Sequence, residues 1–327
     1  MSELQDNILA VLNDGAFHSG AKLGLALGVS RTAVWKQLKK LEAMGLPIES
    51  VKGTGYRLAQ GFELLSAAHI SAYLSQAGAP MPTQIEVFRS LESTNTYIRE
   101  RAVKRAYGGS VVFAERQTAG RGRRGKEWFS PFGASIYMSI LWDFEQGAQA
   151  LEGLSLAVGV AVRRALLELG LANVSLKWPN DIYVDGKKLG GILLEMIGDP
   201  AGHCSVVIGV GINVSMPVVA GLDIAQPWTD LRSESLSPIL RNELAARLIH
   251  QIFTLLADFE TVGFAAYRDE WQSADAFDGL QCTVSTPRES ATGVLMGVDD
   301  GGAVRLRLAD GTIQRFIGGE LSLRLTK

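Results

Sequence analysis

The sequence predicts an α+β protein built from more than one domain. Three observations carry this. The chain has 327 residues, too many for one ordinary hydrophobic core. Its first sixty residues show helical apolar spacing and then a glycine turn between two short β-like runs. The rest mixes strand runs with long apolar helices, without the regular strand–helix alternation of a doubly wound sheet.

Composition narrows the class. Apolar residues make up 47% and charged residues 20%, the balance of an ordinary folded protein. The net charge of −2 excludes a bulk polyanion binder, so any basic patch is local. Cys204 and Cys282 fit no metal or disulfide spacing and read as reduced thiols of a cytoplasmic protein. No apolar run has membrane-spanning length, and the acidic, amphipathic start MSELQDNILAVLNDG is unlike a signal peptide.

Residues 1–62 form the first predicted unit. Leu4, Ile8, Val11 and Leu12 recur at helical spacing, and Asp14-Gly15 ends that helix. Ser19 caps a second helix ending near Gly28, and Ser30 a third ending at Gly45. On the third helix Val34, Leu38 and Leu41 make the apolar stripe, so Arg31, Thr32, Lys36, Lys39 and Lys40 are left for the other faces. IESV-KGTG-YRL then reads as a hairpin. Helix, turn, helix and hairpin make a winged helix-turn-helix. Residues 22–57 carry seven basic groups against two acidic ones, a local +5, as expected of a DNA-binding module. The lysines suit phosphates, and Thr32 and Lys36 lie near the helix start, where base edges are reached. A solvated helix face is the alternative.

Residues 66–272 form the central unit. SVVFAE, ASIYMSILW, VSLKW, DIYV, KKLGGILLEM and CSVVIGVGINV read as strands, LEGLSLAVGVAVRRALLELG and RNELAARLIHQIFTLLADFE as helices. Asp185-Gly186 is a hairpin signal, so a mixed or antiparallel sheet is expected. No G-x-G-x-x-G opens a helix after a strand, which argues against a Rossmann site. Residues 277–327 read as short strands between DDGG and ADGT turns, a small closed SH3-like β-barrel.

Polar clusters fall at strand ends. AGRGRRGKEWF holds G-x-x-x-x-G-K at Gly120–Lys126, most of a phosphate-binding P-loop. Glu127 stands where Ser or Thr should hold magnesium, and Pro131 and Gly133 oppose a following helix. This is an anion loop of another design, or a solvated basic turn. Ser93, Thr94 and Asn95 offer hydroxyl and amide groups to a small polar ligand, or cap a helix beginning at Tyr97. Gln117 ends a strand, and the Trp128 indole suits stacking on a flat base or a place in the core. KWPND puts a turn at Pro179, with Lys177 and Lys188 beside it for a carboxylate or phosphate, or simply for water. The small residues of GVGIN, ending at Asn213, let a ligand approach. No His/Cys set has metal-ligand spacing, and no Ser-His-Asp constellation is supported. The residues point to a ligase or sensor for a small acid and a nucleotide, joined to a DNA-binding domain.

ESTN, QTAGRGRRGKEW, KWPND, KKLGGIL and GVGIN stand in the order found in biotin protein ligases, and with the leading winged helix the chain resembles their bifunctional, operon-repressing type. The resemblance covers almost the whole chain. It implies that biotin and ATP, with Mg²⁺, give biotinyl-5′-adenylate, and that biotin then passes to a lysine of the biotin carboxyl carrier protein of acetyl-CoA carboxylase. It implies Lys188, Arg121 and Arg123 as catalytic groups. Ser93, Thr94, Asn95, Gln117, Arg121, Gly122, Arg123, Lys188 and Gly191 are implied for biotin, and Trp128, Asn213, Lys177 and Asp181 for the nucleotide. It also implies a homodimer that, loaded with adenylate as corepressor, binds the operator of biotin synthesis genes. A lipoate ligase shares the acyl-adenylate logic but has motifs unlike GRGRRG and KWPND. A non-catalytic biotin sensor would be expected to have lost some of these lysines and arginines.

Overall fold

The computed structural model describes residues 2–326 except 60–61, 104–107, 148–150, 200–201, 218–223, 225, 286–289 and 318–320. The N-terminal unit has helices α1 (Glu3–Leu12), α2 (Gly20–Ala26) and α3 (Arg31–Ala43), then strands β1 (Ile48–Val51) and β2 (Gly55–Leu58) as an antiparallel wing. Ser2, Ser19 and Ser30 accept hydrogen bonds from the backbone of the helices they cap. Ile8, Leu12, Leu23, Val34, Leu38 and Leu41 close a separate core. Gly55 at the wing root has φ +134°, and a Cβ there would meet the His18 carbonyl oxygen at 2.2 Å. Only glycine fits.

The central unit runs α4 (Ala67–Gln76), β3 (Gln84–Phe88), α5 (Thr94–Val103), β4 (Ser110–Ala114), β5 (Ser135–Phe144), α6 (Leu154–Glu168), β6 (Val174–Lys177), β7 (Asp181–Val184), β8 (Lys187–Gly198), β9 (Cys204–Asn213), α7 (Leu231–Glu234), α8 (Arg241–Val262) and α9 (Arg268–Ser273). Its sheet has the order β3-β4-β5-β9-β8-β7-β6. The β3–β4 pair is parallel and the others antiparallel, the mixed sheet expected. Helices α6 and α8 share one large core with the sheet. Helix α5 packs on β5, β9 and β8, with Ile98 against Val112, Leu141 and Val207 in a smaller cluster. Helix α4 and strand β3 were not read from the sequence, and α5 begins at Thr94 rather than Tyr97. Ser93 Oγ accepts from the Thr96 N–H at 3.4 Å and caps it.

The C-terminal strands β10 (Gln281–Ser285), β11 (Ser290–Val298), β12 (Val304–Arg307), β13 (Ile313–Phe316) and β14 (Ser322–Leu325) form an antiparallel sheet, order β13-β12-β11-β10-β14. Among the described residues β13 and β14 do not pair, so the closed barrel expected there is a sheet with two edges. Strand β13 is four residues long and mostly exposed. The inner side belongs to the main core through Val284, Leu295, Val304 and Leu306. Both cysteines are free and buried.

A buried ion pair of the central unit anchors the linker that follows residue 62. Glu115 is fully buried, accepts from the Leu65 N–H at 2.6 Å, and pairs with Arg241 at 2.7 Å. A buried charge is tolerated only when paired and hydrogen-bonded in this way. Arg89 reaches Asp6 of α1 at 3.4 Å, and Phe132 packs into the N-terminal core. No helix among the described residues is long and apolar enough to cross a membrane.

Candidate active site

A cavity of about 1160 Å³ opens over strands β8 and β9, beneath the basic loop. It collects Ser93, Thr94, Asn95, Gln117, Arg121, Gly122, Arg123, Trp128, Lys177, Asp181, Lys188, Gly191 and Asn213. Residues up to 120 positions apart thus share one wall system.

One end is a connected polar chain. The Thr94 N–H donates to Gln117 Oε1 at 2.8 Å, and Gln117 Nε2 donates to Ser130 Oγ at 3.2 Å. Ser139 Oγ lies 2.7 Å from Thr94 Oγ1 and donates to Asn95 Oδ1 at 2.6 Å. Asn95 Nδ2 donates to Glu195 Oε2 at 2.7 Å. Ser93, Thr94 and Asn95 are each at most 5% exposed. Buried polar groups satisfied in this way are held rigidly.

The other end is cationic. Lys188 Nζ stands 2.5 Å from Asp181 Oδ1, and Lys177 Nζ stands 3.6 Å from Asp181 Oδ2. Lys177 also donates to the Tyr183 hydroxyl at 3.2 Å. Burial pushes that phenol up to about 12, so it remains a neutral hydrogen-bonding group. Arg123 donates to Asn180 Oδ1 at 3.4 Å. Burial lowers its pKa, while the charge of Asp181 works the other way. The KWPND turn holds these groups in place. Trp178 is buried and its Nε1 donates to the Gly302 carbonyl at 3.0 Å, and Asn180 Nδ2 donates to the Ile192 carbonyl at 2.7 Å.

Two sequence expectations change in detail. The GVGIN glycines were read as room for a ligand. They make room for this chain's own side chains: a Cβ at Gly209 would lie 2.3 Å from Asn95 Oδ1, and one at Gly211 2.8 Å from the Trp128 ring. Trp128 therefore lies flat on the sheet, 3.4 Å from a Cβ built on Gly191, with Lys188 Nζ 5.4 Å from its ring centre. It sits beside Lys188, at the cationic end. Asn213 is buried, and its Nδ2 donates to the Thr229 carbonyl at 3.0 Å. Its amide holds the exit of β9.

The sequence reading missed Ser130, Ser139 and Glu195. The signals were faint: a serine within the apolar run SIYMSILW, and a single acid within GGILLEM. No group of three potential metal ligands occurs among the described residues, and Asp181 is engaged by two lysines.

A second surface lies on α3, where Arg31, Thr32, Lys36, Lys39 and Lys40 are all exposed, beside the half-exposed Trp35. Lys39 is partly neutralised by Glu42 at 2.6 Å.

Comparison with known proteins bears on both surfaces. Residues 87–213 match the Biotin/lipoate A/B protein ligase family, residues 5–57 an HTH domain, and residues 279–324 the Biotin protein ligase C terminal domain. The bifunctional ligase/repressor BirA of Escherichia coli is 38% identical over 97% of this chain and 96% of its own. The chain belongs to the bifunctional branch of the biotin protein ligase family. The family's Bacillus subtilis ligase/repressor is 32% identical over 94% of each chain. Among solved structures, the biotin protein ligase of Aquifex aeolicus in complex with biotin and ATP superimposes with a TM-score of 0.64 at 28% identity, covering 75% of this chain and all of that one.

Proposed function

We propose that this protein is a biotin protein ligase that also represses transcription. The supporting observation is one cavity with a rigid uncharged polar end and a cationic end, on the same chain as an exposed basic recognition helix. The uncharged end, Ser93, Thr94, Asn95 and Gln117, suits the biotin head. Lys188, Lys177 and Arg123 suit the biotin carboxylate and the ATP phosphates.

The first step joins two anions. The biotin carboxylate oxygen attacks the α-phosphorus of ATP, and the bond to the bridging oxygen breaks to release pyrophosphate. Preorganised cations lower this barrier by screening the approach and stabilising charge at phosphorus. Lys188 leaves Asp181 for the ligand, and Lys177 keeps that carboxylate paired. In the second step a carrier lysine amine attacks the mixed anhydride and AMP leaves. Gly122 and the rest of the basic loop cover the intermediate and keep water out. Mg²⁺ would arrive with ATP and screen the phosphate charge. Asp181, in the cavity wall, is a carboxylate that would help hold it.

The acceptor is the biotin carboxyl carrier protein of acetyl-CoA carboxylase. With acceptor scarce, the adenylate serves as corepressor: the protein dimerises in the cytoplasm and sets α3 of each protomer on a half-site of the operator of biotin synthesis genes. We divide the chain at 1–62, 66–272 and 277–327, and assign the last unit as a small SH3-like β-barrel domain.

The test is the intact mass of a carrier domain incubated with this protein, biotin, ATP and Mg²⁺, with lipoate in a parallel tube. A gain of one biotin, absent with lipoate, is expected. No gain in either tube, with biotin still bound, would leave a pure sensor.

A further inference from the structure

Glu195 enters none of the motifs, yet three donors converge on it. Asn95 Nδ2 donates to its Oε2 at 2.7 Å, and the Arg99 and Arg121 guanidinium groups lie 3.5 and 3.7 Å from its Oε1. Arg121 also donates to Thr96 Oγ1 at 2.8 Å. We propose that Glu195 is a positioning residue for the uncharged end of the cavity, orienting the Asn95 amide and clasping Arg121 so that the entry limb of the basic loop is fastened over the mouth.

The first half follows from hydrogen-bond polarity. A carboxylate only accepts, so the Asn95 NH₂ must face Glu195. The carbonyl oxygen is then left toward Ser139 Oγ, 2.6 Å away, and over Gly209. Charge on Glu195 decides which end of the amide the ligand meets. A neutral glutamine accepts and donates, and would permit either orientation.

The second half concerns the loop. Lys188 and Glu195 are seven residues apart on β8, about 23 Å of strand at ~3.3 Å per residue. Arg121 is therefore fastened at the far end from Lys188, while Arg123 reaches Asn180 at the cationic end. The loop is held through both arginines, and just past the second hold Arg124 and Gly125 take φ of 60° and 69°. Arg121 thus holds the loop down. Exposed ion pairs alone contribute little, and both arginines are about 40% exposed. The strength of the arrangement lies in the partly buried Asn95 bond and in two guanidinium groups sharing the other carboxylate oxygen.

The identity of the ligand rests on the ligase reading, whereas the clasp does not. The experiment compares the wild type, E195Q, R121M and E195Q/R121M. In ligand-free protein, trypsin cleavage after Arg123, Arg124 or Lys126 should be faster in E195Q and in R121M. The double variant should be no faster than R121M, because one contact is removed twice. With biotin and ATP, E195Q should raise the biotin KM about tenfold, the worth of one charge-assisted hydrogen bond. It should also raise the pyrophosphate released per biotin transferred, as intermediate escapes, while single-turnover transfer from bound adenylate stays at the wild-type rate. A merely structural role would lower Tm and leave that ratio alone. Wild-type cleavage, KM and coupling in E195Q, or additive cleavage in the double variant, would overturn the proposal. If the wild type forms no biotin-dependent pyrophosphate, the ligase reading fails, and the ligand-free cleavage series still decides the clasp.

Discussion

Replacing Gly209 by alanine tests the geometry of the uncharged end with a single methyl group. The added Cβ would sit 2.3 Å from Asn95 Oδ1, where ordinary contact begins near ~3.5 Å, so the amide must retreat by about 1 Å. Asn95 is held by Ser139 at 2.6 Å and Glu195 at 2.7 Å, and neither bond survives that shift. A buried neutral hydrogen bond is worth about 1 kcal/mol and one to a charged partner about 1.5–3 kcal/mol, so the loss is roughly 2.5–4 kcal/mol, shared between folding and binding. If half falls on binding, biotin affinity drops at least about tenfold. Titration calorimetry with biotin, beside a thermal melt, measures both shares. N95A should relieve the clash, so the double variant should bind no worse than N95A alone. Wild-type biotin affinity and Tm in G209A would refute the reasoning, because the glycine would then not be required by the amide.

Other consequences follow from the same structure. K188A leaves Asp181 with Lys177 alone; adenylate formation, followed by pyrophosphate release, should fall by about 10²–10³-fold, with biotin affinity changed far less. Burial pushes the Asp275 carboxyl up to about 7. Its folded pKa thus lies above the unfolded value, and the native state holds the proton more tightly. The associated stability is complete below the unfolded pKa of 3.8 and is lost as pH rises toward about 7. D275N keeps the acceptor for the Phe277 N–H (3.0 Å in the native chain), so its Tm should gain on the wild type between pH 4 and pH 7.5, and a constant difference would show that Asp275 does not titrate there. On α3, K36A should weaken duplex binding across sequences and lower the salt-dependence slope by about 1; an unchanged slope would remove Lys36 from the phosphate contacts.

The N-terminal unit was legible almost residue by residue, because its rules are local. Serine caps, the Val34–Leu38–Leu41 stripe and the wing glycines act within a few positions. Helix α4 was not legible, because its apolar residues, Ile70 and Leu74 among them, gain meaning only against α8. The barrel expectation failed to distinguish a closed ring from a sheet because closure depends on β13 meeting β14, which hairpin signals do not encode. Of the cavity, the motif residues were all named beforehand. Their pairing was not: nothing in ESTN announces that Asn95 leans on Glu195, 100 positions away.

The sequence by itself determined the three-part order, the mixed sheet, the basic recognition helix and the identity of the groups in the cavity. Each is written in spacing, caps, charge and motif, and these act over short stretches of chain. Tertiary structure alone decided which groups face each other. It put Trp128 on Gly191 and Gly211, sent Arg121 to Thr96 and Arg123 to Asn180, and gave Asp181 to two lysines at once. Those outcomes depend on the register of β8 against β7 and β9 and on the packing of α5 over β5, β8 and β9. Register and packing are settled by the whole core together.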